Sequence, residues 1–286
     1  MADEFQLSVL NQGVKVWNQW RADNPDVKVN LDSIVFNEDA DLTSINLERA
    51  SLMWTRLVGA DLGIANLRSA FLLGANLRGA NLTCANLTGA NLSGTDLSVA
   101  SLYAVILDSA HLDGANLWHA QITHAKLRGA SLEEVNLTGA NLDESDLSDT
   151  YIPGGNLTLA HLHGTDFSRA YLVRARLSSA FIFRTLFCGA DLTGARFDRA
   201  DIKNSDMTGA NLTSTVFNNT KVEDVDFYGA DLNKASFRQA VITNTDFYGA
   251  KMDGVIGLDL PTSSVTAKES NRKRTQRLQR GFDFDQ

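Results

Sequence analysis

The sequence predicts an all-β solenoid, a parallel β-helix whose coils each turn four corners, and three observations predict it. Every fifth residue from Leu42 to Met252 is apolar, 43 consecutive positions in one unbroken frame. Two residues before each of them stands a small or β-branched residue, and at 28 of those 43 sites, Ala40 to Ala250, it is Ala. Sorted at a spacing of twenty, the Phe residues at the large apolar site fall into two columns. One holds Phe167, Phe187, Phe227 and Phe247, the other Phe197, Phe217 and Phe237. Self-similarity at a fixed period decides the fold before any local propensity does.

Five matches neither the helix repeat of 3.6 nor the strand repeat of 2.0. Within one pentad, however, the order small, polar, large apolar is strand-like, as in Ala75-Asn76-Leu77 or Ala190-Asp191-Leu192. The first and third residues point inward and the middle one outward. The two that follow, such as Arg78-Gly79 or Thr193-Gly194, carry turn chemistry. The unit is a very short strand and a corner. Four units per coil, with Phe stacks on opposite walls, account for the two columns.

Along the chain, residues 3–22 leave the frame and show helical periodicity at Leu7, Leu10, Val14 and Trp17, with acids at the start. Asn24-Pro25 ends the helix. Its expected place is over the first coil, because an uncovered β-helix end is an exposed sheet edge. The expected division is a helical cap over 1–30, the repeat over 31–256, and a flexible, partly basic tail over 257–286. Leu31 and Phe36 begin the repeat one residue out of frame, which predicts a bulge within Asn37–Asp41. Tyr151-Ile152-Pro153-Gly154-Gly155 keeps the frame, but Pro lacks a backbone donor, which predicts a distorted coil. The tail carries Lys268, Arg272, Lys273, Arg274, Arg277 and Arg280 and reads as flexible, the alternative being a helix that forms on an acidic partner. At the end of the repeat, Ile242, Phe247 and Met252 need a cover. Val255, Ile256, Leu258 and Leu260 could supply it, or a homodimer through that end.

Runs such as Ala75-Asn76-Leu77-Arg78-Gly79-Ala80-Asn81-Leu82 resemble the pentapeptide-repeat family, whose consensus is A(D/N)LXX. The resemblance covers roughly residues 31–255 and, with Trp17-Asn18-Gln19-Trp20-Arg21 ahead of the repeat, is closest to bacterial and cyanobacterial-type members. It implies a right-handed quadrilateral β-helix. With strands ~4.8 Å apart, about eleven coils would stack over roughly 50 Å. Some members protect gyrase and look like duplex DNA to topoisomerases, and that supplies a second functional expectation.

Composition narrows the function classes. Formal net charge is −8; from Asp41 to Gly254 there are 23 acidic and 17 basic residues, a net of −6, which suits solubility more than a dedicated electrostatic role. Nothing approaches the ~18 apolar residues of a membrane span. Met1-Ala2-Asp3-Glu4-Phe5 lacks the plan of a signal peptide, so a cytoplasmic location is expected. Cys84 and Cys188 occupy exterior turn positions too far apart for a disulfide. The histidines, His111, His119, His124, His161 and His163, do not converge in the three or four ligands a metal wants. No P-loop, nucleophile elbow or zincin motif appears. Neither a catalytic centre, a cofactor nor a small-molecule substrate is expected, nor is direct binding to nucleic acid.

What remains is surface. Phe181, Phe183 and Leu186 are expected to form an outward apolar cluster that binds a protein partner. Tyr151, Tyr171 and Val173 line another face, and Tyr228 is expected to stack on Tyr248. At the outward position of one face stand Asp146, Asp166, Leu186, Asp206, Asp226 and Asp246. This acidic column could mimic spaced phosphates, or could bond turn backbone as Asn46, Asn66 and Asn86 would in the same column. Arg176, Arg196, Arg199 and Arg238 lie one face over. The leading expectation is a non-catalytic interaction scaffold or spacer for an unidentified protein. The alternative is a DNA-mimicking regulator of a type II topoisomerase.

Overall fold

Why a pentad makes one side of a square is visible at Asn76–Ala80. In the computed structural model, which describes residues 2–258, Asn76 N–H donates to the Thr55 carbonyl of the preceding coil (2.9 Å) and Leu77 N–H to the Asp96 carbonyl of the next (2.7 Å). Ala80 N–H then closes a turn on the Leu77 carbonyl (3.0 Å). Gly79, third in that turn, has φ +68°, the left-handed conformation a type II turn requires. Of the two remaining amides, Gly79 N–H donates to the Ser98 carbonyl of the next coil (2.9 Å) and Arg78 N–H to Asn76 Oδ1 (3.1 Å). Every backbone donor of the pentad is therefore used, which buried backbone demands. The expectations for the tail fall outside the described residues.

The chain divides into two compact units, Met1–Asn141 and Leu142–Gln286. In the first, parallel bridges run Ser51–Phe71–Asn91–His111–Ser131, one coil every twenty residues. The first coil is longer: Asn30 pairs with Ser51 and Val35 with Arg56, twenty-one apart, before Asp41 meets Asp61 at twenty. The extra residue lies where the bulge is expected, with Asp39 at φ +62°.

The cap of this unit is two helices, not the single one the periodicity suggests. Helix α1 spans Glu4–Leu10, with the Asp3 side chain accepting the Gln6 N–H; α2 spans Val14–Asp23. Gly13, at φ +100°, separates them. The reason is geometric, because each helix closes a different sheet edge. From α1, Gln6 accepts the Asn30 N–H (2.8 Å) and donates to the Lys28 carbonyl (2.9 Å). From α2, Asn18 accepts the Asn46 N–H (2.8 Å) and donates to the Ser44 carbonyl (3.0 Å). Trp17 Nε1 donates to the Asn46 carbonyl (2.8 Å), and Arg21 to those of Val27 and Glu48. These side chains stand in for the peptide groups of a missing preceding coil.

In the second unit, strands β1 (Phe181–Phe183), β2 (Asp201–Lys203), β3 (Lys221–Glu223) and β4 (Val241–Thr243) pair in parallel in that order. Inside the coil, Phe217 stacks on Phe237 with centroids 4.7 Å apart, and Phe227 on Phe247 at 5.0 Å. The two columns meet edge to face, as Phe217 does with Phe227 at 6.1 Å. Aromatic rings prefer both arrangements. At several inner corners where Thr replaces Ala, its hydroxyl finds a carbonyl in the preceding coil, as Thr215 does with Leu192 (2.9 Å), whereas Thr150 bonds the Leu147 carbonyl of its own coil (2.6 Å).

The distortion expected at Pro153 is absent. Gly154 N–H donates to the Val173 carbonyl (2.9 Å) and Gly155 N–H closes the turn on Ile152 (3.2 Å). Pro153 occupies the place of Arg78, whose amide bonds only a side chain, so the ladder loses nothing. Pro-Gly also suits the two central positions of a type II turn.

Candidate functional site

The outward surface of β1–β4 is built by strand alternation: Ile182, Ile202 and Val222 face the core, so their neighbours face out. Phe181 keeps 51% of its surface exposed and Phe183 41%. One coil earlier, His161 stacks on Phe181 (4.9 Å) and His163 lies over Phe183 (5.1 Å, tilted), making two short aromatic columns. Glu144 Oε1 is 3.8 Å from His163 Nε2. In the following coil, Lys203 Nζ is 3.3 Å from Asp201 Oδ2 and 4.0 Å from Glu223 Oε2.

Leu186 does not belong to this cluster. Expected to project with the phenylalanines, it is 5% exposed, and Asp206 beside it in the ladder is 1% exposed. Both are enclosed by their neighbours, whereas Asp146, Asp166 and Asp226 in the same column keep part of their surface exposed.

The acidic column is tied to its own turns. Asp146, Asp166, Asp206, Asp226 and Asp246 each accept through Oδ1 the amide two residues on, those of Ser148, Ser168, Thr208, Tyr228 and Tyr248, at 2.7–2.9 Å. Asn46, Asn66 and Asn86 do the same in the first unit. Burial pushes the Asp166 carboxyl above the usual carboxylate range, against the bonds from Ser168, and neighbouring Asp146 adds to the rise. At the adjoining corner Arg169 forks onto Asp149, two bonds of 2.7 Å.

Tyr151 stacks on Tyr171 (5.1 Å) and Tyr228 on Tyr248 (5.9 Å), each pair on its own face. Cys84 and Cys188 sit at corners near the surface. Among the described residues, no group of three or more His, Cys, Asp or Glu could hold a metal ion. No helix among them is long and apolar enough to cross a membrane.

Reading the sequence for repeats passes over a second apolar patch, in the first unit. Trp54, 65% exposed, donates its backbone N–H to the Leu73 carbonyl (3.0 Å), and Phe71 and Leu73 are exposed as well. Its indole covers Gly74, where an added Cβ would be 2.2 Å from Trp54 Cζ3. The signal was present: three exterior positions in consecutive coils, Trp54 and then Phe71 and Leu73, hold large apolar residues instead of polar ones.

The repeat is also matched by family models: pentapeptide repeats (8 copies) over residues 65–98, 100–139 and 140–178, and a pentapeptide repeat region over 180–255. The chain belongs to the pentapeptide-repeat family. Its fold is the right-handed β-helix of that family. Among solved structures, HetL, a pentapeptide repeat protein involved in heterocyst differentiation regulation from the cyanobacterium Nostoc, is 28% identical. The match covers 83% of this chain and 93% of HetL, with a TM-score of 0.39. QnrB1, a plasmid-mediated fluoroquinolone resistance protein, is 19% identical over 80% of this chain and 98% of its own, with a TM-score of 0.41. A pentapeptide repeat protein from the Arabidopsis thaliana thylakoid lumen is 25% identical over 41% of this chain and 74% of its own, with a TM-score of 0.31. A comparison with curated proteins finds no match.

Proposed function

We propose that this pentapeptide-repeat protein is a non-catalytic interaction module that docks another protein on the outward surface of β1–β4. The observation that carries this reading is the pair Phe181 and Phe183, held about half exposed beside His161 and His163 on a parallel sheet. Covering such rings completely is worth roughly 1–2 kcal/mol each, the scale of an interface anchor. Tyr151 with Tyr171, and Tyr228 with Tyr248, are secondary contact candidates on other faces. The topoisomerase reading finds less support, because each carboxylate it needs on display is engaged by a turn amide, and Asp206 and Asp246 are buried as well.

The test is a pull-down with the full chain against the double variant Phe181→Ser, Phe183→Ser. The variant should lose the protein that the parent retains while its thermal midpoint stays within a few degrees. Retention of the same protein by both would sink the assignment of this face.

A further inference from the structure

Each strand of the second unit's sheet presents two outward side chains, one in each of two columns. Read as rows along the stack, these are Phe181 and Phe183, Asp201 and Lys203, Lys221 and Glu223, and Val241 and Thr243, and the coil before β1 adds a fifth row, His161 and His163. The charged rows alternate in sign both along the strand and from strand to strand, so Asp201 neighbours Lys221 and Lys203 neighbours Glu223. A surface of this kind is complementary to itself. Placing a two-fold axis in front of the sheet, parallel to the direction in which the strands stack, sets each first-column residue against the second-column residue of the same row in the other copy. Asp201 then meets Lys203, Lys221 meets Glu223, Phe181 meets Phe183, and no like charges face each other.

We propose that the partner of this face is a second copy of the chain, the two lying side by side through β1–β4. The proposal rests on the docking reading above and names its occupant. A closed two-fold contact uses the same patch on both molecules, which is what a self-complementary pattern provides. Opposite charges in register exclude other alignments more than they add affinity, and the phenylalanine rows supply the apolar burial. Two buried polar atoms without a hydrogen-bond partner, His163 Nε2 and Asp201 Oδ1, border those phenylalanine rows. Five rows at ~4.8 Å span only about 20 Å. That is well under the ~800 Å² per partner of a standard interface, so the dimer should be weak and reversible.

Sedimentation equilibrium of the full chain from about 10 μM to about 0.3 mM tests this. The expected result is a weight-average mass that rises with concentration from the monomer's 31.1 kDa towards the dimer. Asp201→Lys sets lysine against Lys203, and Lys203→Asp sets aspartate against Asp201. Each alone should weaken association by about tenfold or more. An equimolar mixture of the two variants should restore it, because both cross-pairs are again of opposite sign. Circular dichroism confirms that each variant is folded. A parent that stays at 31.1 kDa throughout overturns the proposal. So does association that survives both single substitutions, as a contact through the last coil would. A monomeric parent that still loses another protein through Phe181→Ser and Phe183→Ser would leave the docking reading standing and remove self-association alone.

Discussion

At the scale of the residue, the fold turns on one small bond: a side-chain oxygen at the outward position accepting the amide two residues later. Asn and Asp make it equally well, but they differ between coils. Asn136 Nδ2 also donates to Asn116 Oδ1 in the coil below (2.9 Å), as Asn81 does to Asp61 (2.9 Å). An aspartate stacked on an aspartate has no proton to give. Burial raises the pKa of Asp166, and Asp146 beside it in the ladder adds to the rise, so ionising that carboxyl costs free energy. For a carboxyl whose folded pKa is raised, stability is fully present below the unfolded value and is lost as pH rises through the folded one. Asp166→Asn keeps the turn acceptor and removes that loss. Its thermal midpoint should exceed the parent's by a few °C at neutral pH. The gap should close as pH falls below the ordinary carboxylate value, by about pH 3. A parent more stable than the variant at pH 7 would contradict this account.

At the scale of the element, pentads are local and the cap is not. A pentad needs only an inward small residue, an inward large one and a turn, and all three are written in five letters. Pro153 shows what letters alone omit. Its cost depends on which of the five amides the ladder uses, and its own is the one the ladder leaves to a side chain. The cap depends still more on context. The spacing of Leu7, Leu10, Val14 and Trp17 signals a helix, but the two edges it must close lie on different sides of the coil, so the chain breaks at Gly13. Trp17 is fully buried and its indole N–H bonds the Asn46 carbonyl. Trp17→Ala should cost about 3–5 kcal/mol in chemical denaturation, because it opens a cavity and frees an edge carbonyl. A loss under about 1 kcal/mol would mean that α2 does not hold that edge.

At the scale of the whole molecule, stability in a solenoid is a sum of neighbour terms, since each coil packs only on the coils beside it. Phe247, which stacks on Phe227 and meets Phe237 edge on, belongs to the last coil among the described residues of the second unit. Phe247→Ala should therefore raise amide hydrogen exchange across 241–256 by about a hundredfold, while amides around Phe187 and Phe197 keep their protection. Uniform loss along the unit would argue for one global core instead. The sequence by itself determined the period, the four-cornered coil, the two inner Phe columns, the bulge after Phe36 and the outward placement of Phe181 and Phe183. Each follows from spacing, and in a repeat of this kind spacing is geometry. Only the tertiary structure decided that Leu186 is enclosed while Phe181 is not, that Asp206 and Asp246 are buried in the aspartate column, and that Trp54, Phe71 and Leu73 stand exposed. Depth at an outward position is set by the side chains one coil before and after, which lie twenty residues away in sequence and beside it in space.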